Sequence, residues 1–144
     1  KPNIIAPAIN VAIAQRLVRR LCSSCRVAAS ADPNQKKKIT DELAKFPKDA
    51  PLPEEKEWKV STASASGCPA CHGLGYKGRV GIFELILIDA EIERLILKEP
   101  SEFEIKKAAS GQGQINMRQD GILKVLSGIT DLAELERVTG PDES

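Results

Sequence analysis

The spacing of apolar residues near the start of the chain predicts a helix. Apolar side chains recur there every four residues, at Ile9, Ile13, Leu17 and Leu21. A spacing of three to four residues places side chains on one face of an α-helix. We therefore predict that residues 1–21 form a basic helical segment, with the helix itself over Pro7–Leu21 and its charged side chains on the other faces, at Arg16, Arg19 and Arg20.

The segment from residue 30 to residue 57 is poor in apolar residues and rich in lysine, proline and acidic residues. Within it, only Ile39 to Phe46 has the spacing of a short helix, and the prolines that follow from Pro47 onward interrupt that spacing. We predict that residues 30–57 are a variable, mobile insertion, followed by a short strand over Trp58–Thr62.

After residue 78 the pattern changes again. The run Arg79–Ile88 is almost continuously apolar and rich in β-branched residues, which predicts a β segment. Four short helices are expected to follow: Asp89–Lys98 with Asp89 as its cap, one that begins with a capping box of Ser101 and Glu104, one over Ile115–Leu126 weakened by Gly121, and one capped by Thr130. The predicted fold class is α+β, mainly α-helical, in which residues 79–144 form a β segment and a C-terminal helical bundle.

Composition narrows the class of protein. The chain has 144 residues, of which 42% are hydrophobic and 28% charged, with a net charge of +1. These values are typical of one folded domain, and they disfavour a disordered chain and a strongly basic nucleic-acid binder. No stretch is apolar over the ~18 residues of a membrane span, and no signal-peptide pattern is found. The chain, which starts with Lys1, is expected to be a piece of a longer polypeptide.

Four cysteines carry the most specific chemical signal. They form two Cys-x2-Cys pairs, Cys22 with Cys25 and Cys68 with Cys71, separated by 42 residues. Each pair can supply two thiolates from one tight turn, and two pairs complete a tetrahedral site for structural zinc. We therefore predict a tetracysteine zinc knuckle or ribbon over residues 22–78. Two disulfides or free buried thiols are the alternatives, although nothing in the sequence indicates an oxidising compartment.

Three other patterns overlap the second pair. Cys68-x2-Cys71-His72 matches a haem-attachment motif, for which Met117 is a candidate axial ligand, but this interpretation leaves the first pair without a role. The glycines that follow also match one zinc-binding repeat of DnaJ-type chaperones. Gly73, Gly75 and Gly78 spell a dinucleotide-binding motif, yet they precede a strand rather than a helix, so we interpret them as turn residues. His72 is a possible substitute ligand and more simply an exposed neighbour.

No group of residues suggests catalysis. The chain has one histidine, and it contains no G-x4-G-K-[ST] phosphate loop. From its residues alone, the chain is predicted to be a zinc-stabilised module without enzymatic activity.

Several ordered blocks resemble the C-terminal region of the type II secretion and type IV pilus-assembly ATPases. They span nearly the whole chain: Ala14-Gln15-Arg16-Leu17-Val18-Arg19-Arg20-Leu21-Cys22, then Cys68-x2-Cys71-x-Gly73-x-Gly75-Tyr76-Lys77-Gly78-Arg79-x-Gly81-Ile82-Phe83-Glu84-Leu85, then Met117-x2-Asp120-Gly121-x2-Lys124-x2-Ser127-Gly128-Ile129-Thr130, and Glu134-Leu135-Glu136-Arg137-Val138.

The resemblance implies a fragment of a hexameric motor that powers type II protein secretion or type IV pilus assembly in the bacterial cytoplasm, at the inner membrane. It implies zinc held by Cys22, Cys25, Cys68 and Cys71, and contacts with the upstream ATPase domain, neighbouring subunits of a homohexamer and the inner-membrane platform protein. ATP and Mg²⁺ would bind only to the full-length parent. The competing hypothesis is an independent zinc-ribbon adaptor that binds protein or nucleic acid.

Overall fold

The computed structural model describes residues 1–29 and 32–140. Over this part of the chain the fold is α+β, as predicted, with short helices around small antiparallel sheets. The strands are β1 (Val11–Leu21), β2 (Val27–Ala28), β3 (Ser61–Thr62) and β4 (Tyr76–Leu87). The helices are α1 (Pro2–Ile5), α2 (Pro33–Leu43), α3 (Ala90–Ile96), α4 (Glu102–Ser110), α5 (Met117–Leu126) and α6 (Leu132–Thr139).

The helix predicted over Pro7–Leu21 is wrong, because most of this segment is strand β1. It pairs antiparallel with β4 from Val11 opposite Leu87 to Arg19 opposite Arg79, and a register shift follows before Leu21 meets Tyr76. A spacing of four residues is also twice the two-residue period of a strand, so Ile13 and Leu17 share a face in either conformation. The pairing with β4, which the spacing cannot reveal, decides between the two.

The two faces of the β1–β4 sheet have opposite environments. Val18 and Ile82 lie on one face, are completely buried, and pack in one hydrophobic cluster with residues of α5 and α6 such as Ile122 and Leu135. The other face carries six exposed large apolar side chains, three from each strand: Val11, Ile13, Leu17, Phe83, Leu85 and Leu87. We call this set the open sheet face. Ile13 is the most exposed of the six, at 60%.

Two of the three predicted helix caps are confirmed, and the third is wrong. Asp89 accepts hydrogen bonds from the first turn of α3, and Ser101 and Glu104 form the predicted capping box of α4. Helix α6 is capped by Asp131 and not by Thr130, whose hydroxyl donates instead to the carbonyl of Arg19. A buried hydroxyl that has a backbone acceptor within reach is satisfied there and is not available as a cap.

Gly121 has a packing role within α5. A side chain at this position would place its Cβ 2.2 Å from Cδ1 of Leu135, so only glycine lets α5 and α6 approach this closely. The helix-weakening residue seen in the sequence is therefore at the centre of the α5–α6 contact.

Helix α2 joins part of the region 30–57 to the core. It starts at Pro33, earlier than Ile39, because Asp32 caps it and proline is favoured in a first turn. Ile39 is fully buried, and Glu42 pairs with Arg118 of α5. The start of the predicted insertion, at residues 30 and 31, lies outside the described residues, as does the end of the predicted helical subdomain at residues 141–144.

Within the described ranges, no helix combines the length and the apolar character needed to cross a membrane.

Candidate metal centre

Both cysteine pairs lie at the end of the sheet where β1 stops and β4 begins. Cys22 follows β1 directly, and a tight turn brings Cys25 back, with the backbone N–H groups of Cys25 and Arg26 donating to the carbonyl of Cys22. Cys68 precedes a single 3-10 turn, Pro69–Cys71, whose last residue is Cys71, shortly before β4. The ladder between β1 and β4 therefore brings two turns that are distant in sequence to the same place.

The four sulfur atoms are close enough to one another to hold a single metal ion. All four lie within 4.8 Å of one another, and the Sγ–Sγ distances are 3.8 Å for Cys22–Cys68, Cys25–Cys71 and Cys68–Cys71. A regular tetrahedron of zinc–sulfur bonds of about 2.3 Å has edges of about 3.8 Å. All four cysteines are free thiols, so the set could hold a metal ion with the geometry that zinc prefers.

The backbone around the second pair depends on left-handed conformations. His72 has φ 52° and leads into Gly73, and Gly67 has φ 61°. A Cβ at Gly67 would lie 2.3 Å from the backbone of Gly73, so glycine is required where the two segments cross. Gly73 and Gly75 have positive φ in the loop before β4, as predicted for turn residues, whereas Gly78 has positive φ within β4, where its register with β1 shifts.

The thiols differ in their tendency to ionise. Burial raises the pKa of Cys71, but backbone N–H groups of Cys68 and Gly75, each 3.2 Å from its sulfur, outweigh this and lower the pKa to about 6. Burial raises the pKa of Cys25 to about 12, helped by its thiol neighbours. Cys71 is thus a thiolate at neutral pH, and the thiolate is the form that binds metal.

The other residues singled out in the sequence stay outside this cluster. His72 is exposed, and among the described residues the groups that could ligate a metal together are the four cysteines only. Met117 starts α5, where it packs against the hydrophobic core and its N–H donates to Glu84.

A polar network around the buried Glu134 joins α6 to the end of β1, and it is not predicted by the sequence pattern. Glu134 of α6 is completely buried and accepts hydrogen bonds from Arg19 and Arg137, with its shortest contacts at 2.7 Å. The Arg19 guanidinium also lies 4.1 Å from the centre of the Tyr76 ring. In the sequence, Glu134 is one of several acidic residues of a helix, so its burial carries no local signal.

Tyr76 connects the same region to the cap of α6. Its hydroxyl donates to both carboxylate oxygens of Asp131, at 3.0 and 2.8 Å. Burial and this hydrogen bond raise the pKa of Tyr76 above its usual value, so the hydroxyl stays protonated and donates. Tyr76, the first residue of β4, is therefore bonded to the cap of α6.

Comparison with known proteins shows similarity over almost all of the chain. A family model described as "Type II/IV secretion system protein" matches residues 1–137. The chain is 37% identical over 139 residues to the type II secretion system protein HxcR of Pseudomonas aeruginosa, covering 96% of this chain and 23% of that protein. It is 38% identical over 135 residues to the type IV pilus assembly ATPase PilB of Acinetobacter baylyi, covering 94% and 22%. It is 37% identical over 139 residues to the type II secretion system ATPase E of Vibrio cholerae, covering 96% and 25%. The chain thus spans about a quarter of the length of these relatives.

Proposed function

This chain belongs to the family of type II/IV secretion system proteins, and on that premise we propose that it is the zinc-binding C-terminal part of a hexameric ATPase that powers type II secretion or type IV pilus assembly. The observation that carries the proposal is the match to the family over residues 1–137, together with four clustered thiols, three of whose Sγ–Sγ distances equal the edge of a zinc tetrahedron. The relatives include both secretion and pilus ATPases, so either machine is compatible with the match.

In this proposal Cys22, Cys25, Cys68 and Cys71 are the ligands of one structural zinc ion. A tetrahedral site with four protein ligands has no open position for a substrate, so the ion would act as a cross-link between two segments of the chain. Hydrolysis of ATP would belong to the part of the parent that this chain does not span. Its Mg²⁺ would be bound there as well.

We further propose that this part of the motor works in the bacterial cytoplasm, against the inner membrane. It would contact the upstream ATPase domain, the neighbouring subunits of a homohexamer and the membrane platform protein. The open sheet face and the exposed Leu74 between Gly73 and Gly75 are apolar surfaces available for such contacts. Contiguous exposed apolar surface usually marks an interaction site.

The metal assignment is tested by measuring zinc per chain in protein purified under reducing conditions. We expect one zinc ion per chain, loss of the ion in Cys68→Ser, and full retention in the control His72→Ala. Zinc retained by Cys68→Ser, or none bound by the unchanged chain, would contradict the assignment.

The motor assignment is tested with a chimera. The segment of the Vibrio cholerae type II secretion system ATPase E that aligns with this chain is replaced by this chain in cells that lack the natural protein. Secretion restored by the chimera, and lost again with Cys68→Ser, is the expected result. A stable chimera that fails both in this secretion ATPase and in the same exchange with the Acinetobacter baylyi pilus ATPase PilB would count against the proposal. Salt-sensitive DNA binding by the purified chain would favour the adaptor hypothesis.

A further inference from the structure

The short connection between α5 and α6 contacts both segments that carry the cysteine pairs. We call residues 126–131 the α5–α6 turn. The first arm is residues 19–26, which contains Cys22 and Cys25, and the second arm is residues 59–76, which contains Cys68 and Cys71. The turn bonds to the arms through its backbone, through the hydroxyl of Thr130, which donates to the carbonyl of Arg19, and through the carboxylate of Asp131.

The first arm is bonded to the turn beside each of its cysteines. The N–H of Leu21, next to Cys22, donates to the carbonyl of Ile129 at 2.8 Å. The guanidinium of Arg26, next to Cys25, donates to the carbonyl of Gly128 at 2.7 Å. A residue next to Cys22 and a residue next to Cys25 are therefore both hydrogen-bonded to the α5–α6 turn.

The second arm is bonded to the turn at both of its ends. The N–H of Lys59 donates to the carbonyl of Leu126 at 2.7 Å. Asp131 accepts from the N–H of Ala63 at 3.1 Å and from the hydroxyl of Tyr76 at 2.8 Å. The carboxylate of Asp131 thus links a residue before the second cysteine pair, Ala63, to a residue after it, Tyr76.

The close approach of the α5–α6 turn to the second arm depends on Gly128, and its hydrogen bonds are protected by the burial of Asp131. Gly128 has φ 69°, and a Cβ there would lie 2.7 Å from the carbonyl oxygen of Lys59. Asp131 is 4% exposed, so its hydrogen bonds are largely screened from competing water. Hydrogen bonds to a buried charged group are among the stronger ones in proteins.

We propose that the α5–α6 turn preorganises the metal site, and that Asp131 and Tyr76 are positioning residues for zinc although neither touches the ion. This inference rests on the proposed zinc site. Because 42 residues separate the two cysteine pairs, a zinc ion that had to bring free arms together would lose affinity to the entropy of ordering them. The turn holds the arms side by side before the ion binds, so the ordering is already complete.

Two substitutions separate this role from the capping of α6. Asp131→Asn keeps one oxygen that can accept from the N–H of Glu134, so the cap of α6 is preserved. Its second oxygen is replaced by an NH₂ group, which is a donor and cannot accept from the N–H of Ala63. Tyr76→Phe removes one hydroxyl and leaves the ring in place. Ser127→Ala is the matched control, because its hydroxyl bonds within α5, to Leu123, and contacts neither arm.

The test measures the dissociation constant for Zn²⁺ in anaerobic, reducing buffer by competition with a chromophoric chelator. We expect Asp131→Asn and Tyr76→Phe to bind zinc about 10- to 100-fold more weakly, the range seen when groups supporting metal ligands are removed. Ser127→Ala should stay within twofold of the unchanged chain. Ile92→Val removes a buried methyl group from α3, outside the core cluster that includes Val60 of the second arm. It should also leave the affinity unchanged, so a general loss of stability would not reproduce the effect.

A second measurement reports the arms directly. Hydrogen exchange of the Ala63 amide in the zinc-free chain should be faster in Asp131→Asn than in Ser127→Ala. Unchanged zinc affinity in both Asp131→Asn and Tyr76→Phe would overturn the inference while the zinc site stands. A natural-sequence chain that binds no zinc at all would overturn the zinc site and this inference with it.

Discussion

Replacing Glu134 with glutamine should destabilise the chain in a manner that depends on pH. The carboxylate is completely buried between Arg19 and Arg137, and although burial by itself raises its pKa, the hydrogen bonds from the two guanidiniums lower it from 4.5 to about 2. A difference of one pKa unit corresponds to about 1.4 kcal/mol, so the ionised form contributes about 3 kcal/mol to the free energy of unfolding at neutral pH.

The sign of the pH dependence follows from the direction of that shift. The pKa of Glu134 is lower in the folded chain than in the unfolded chain, so its stabilisation is complete above pH 4.5 and is lost as the pH falls toward 2. Glutamine resembles the protonated acid at every pH. We therefore expect Glu134→Gln to be about 3 kcal/mol less stable at pH 7, and the difference to shrink through this acid range.

The assay is urea unfolding followed by circular dichroism between pH 7 and pH 3, with chelator and reductant throughout so that metal binding does not contribute. Glu102→Gln is the matched control, because Glu102 forms an exposed pair with Lys106 and such pairs contribute about 0–1 kcal/mol. Equal stability of Glu134→Gln and the unchanged chain at pH 7, or a difference that does not vary with pH, would refute the reasoning.

Three further predictions concern the packing of the core, the α5–α6 contact and the open sheet face. Leu135→Ala should lower the free energy of unfolding by about 2–5 kcal/mol in urea denaturation, because Leu135 is fully buried, whereas Leu74→Ala at the exposed tip should change it by about 0.5 kcal/mol or less. Gly121→Ala should cost about 1–3 kcal/mol in the same assay, because the new methyl group would overlap Leu135, and a stabilised variant would contradict the close α5–α6 contact. We expect the isolated chain to self-associate through the open sheet face, because contiguous apolar surface is exposed there. Ile13→Lys places a charge on this face and should reduce the association measured by sedimentation velocity. Unchanged association would show that this face is not responsible.

Local chemistry in the sequence predicted much of the fold. The capping box of Ser101 and Glu104 and the cap at Asp89 mark helix starts correctly, because these side chains bond to amides two or three residues away. The apolar run after Arg79 lies within β4, since its β-branched residues fit a pleated, half-buried surface.

The parts that failed depend on residues distant in the chain. Ile13 and Leu17 fit a helix or a strand, and only the pairing with β4 selects the strand. Thr130 is a reasonable cap until the carbonyl of Arg19 lies beside it. In the candidate site, the four cysteines could be predicted from their spacing, but Tyr76 and Asp131 could not, because 54 residues separate the two and nothing local distinguishes either.

The β1–β4 ladder also sets an order of events during synthesis. Leu21 and Tyr76 pair across 54 intervening residues, so β1 leaves the ribosome well before its partner strand exists. At roughly 5–20 residues per second, the delay is about 3–10 s. Throughout that interval Ile13, Leu17 and Val18 are exposed together on a strand with no neighbour, a condition that favours pairing with other nascent chains. Slow elongation between residues 22 and 75 would lengthen this exposure, and the yield of native chain should fall accordingly.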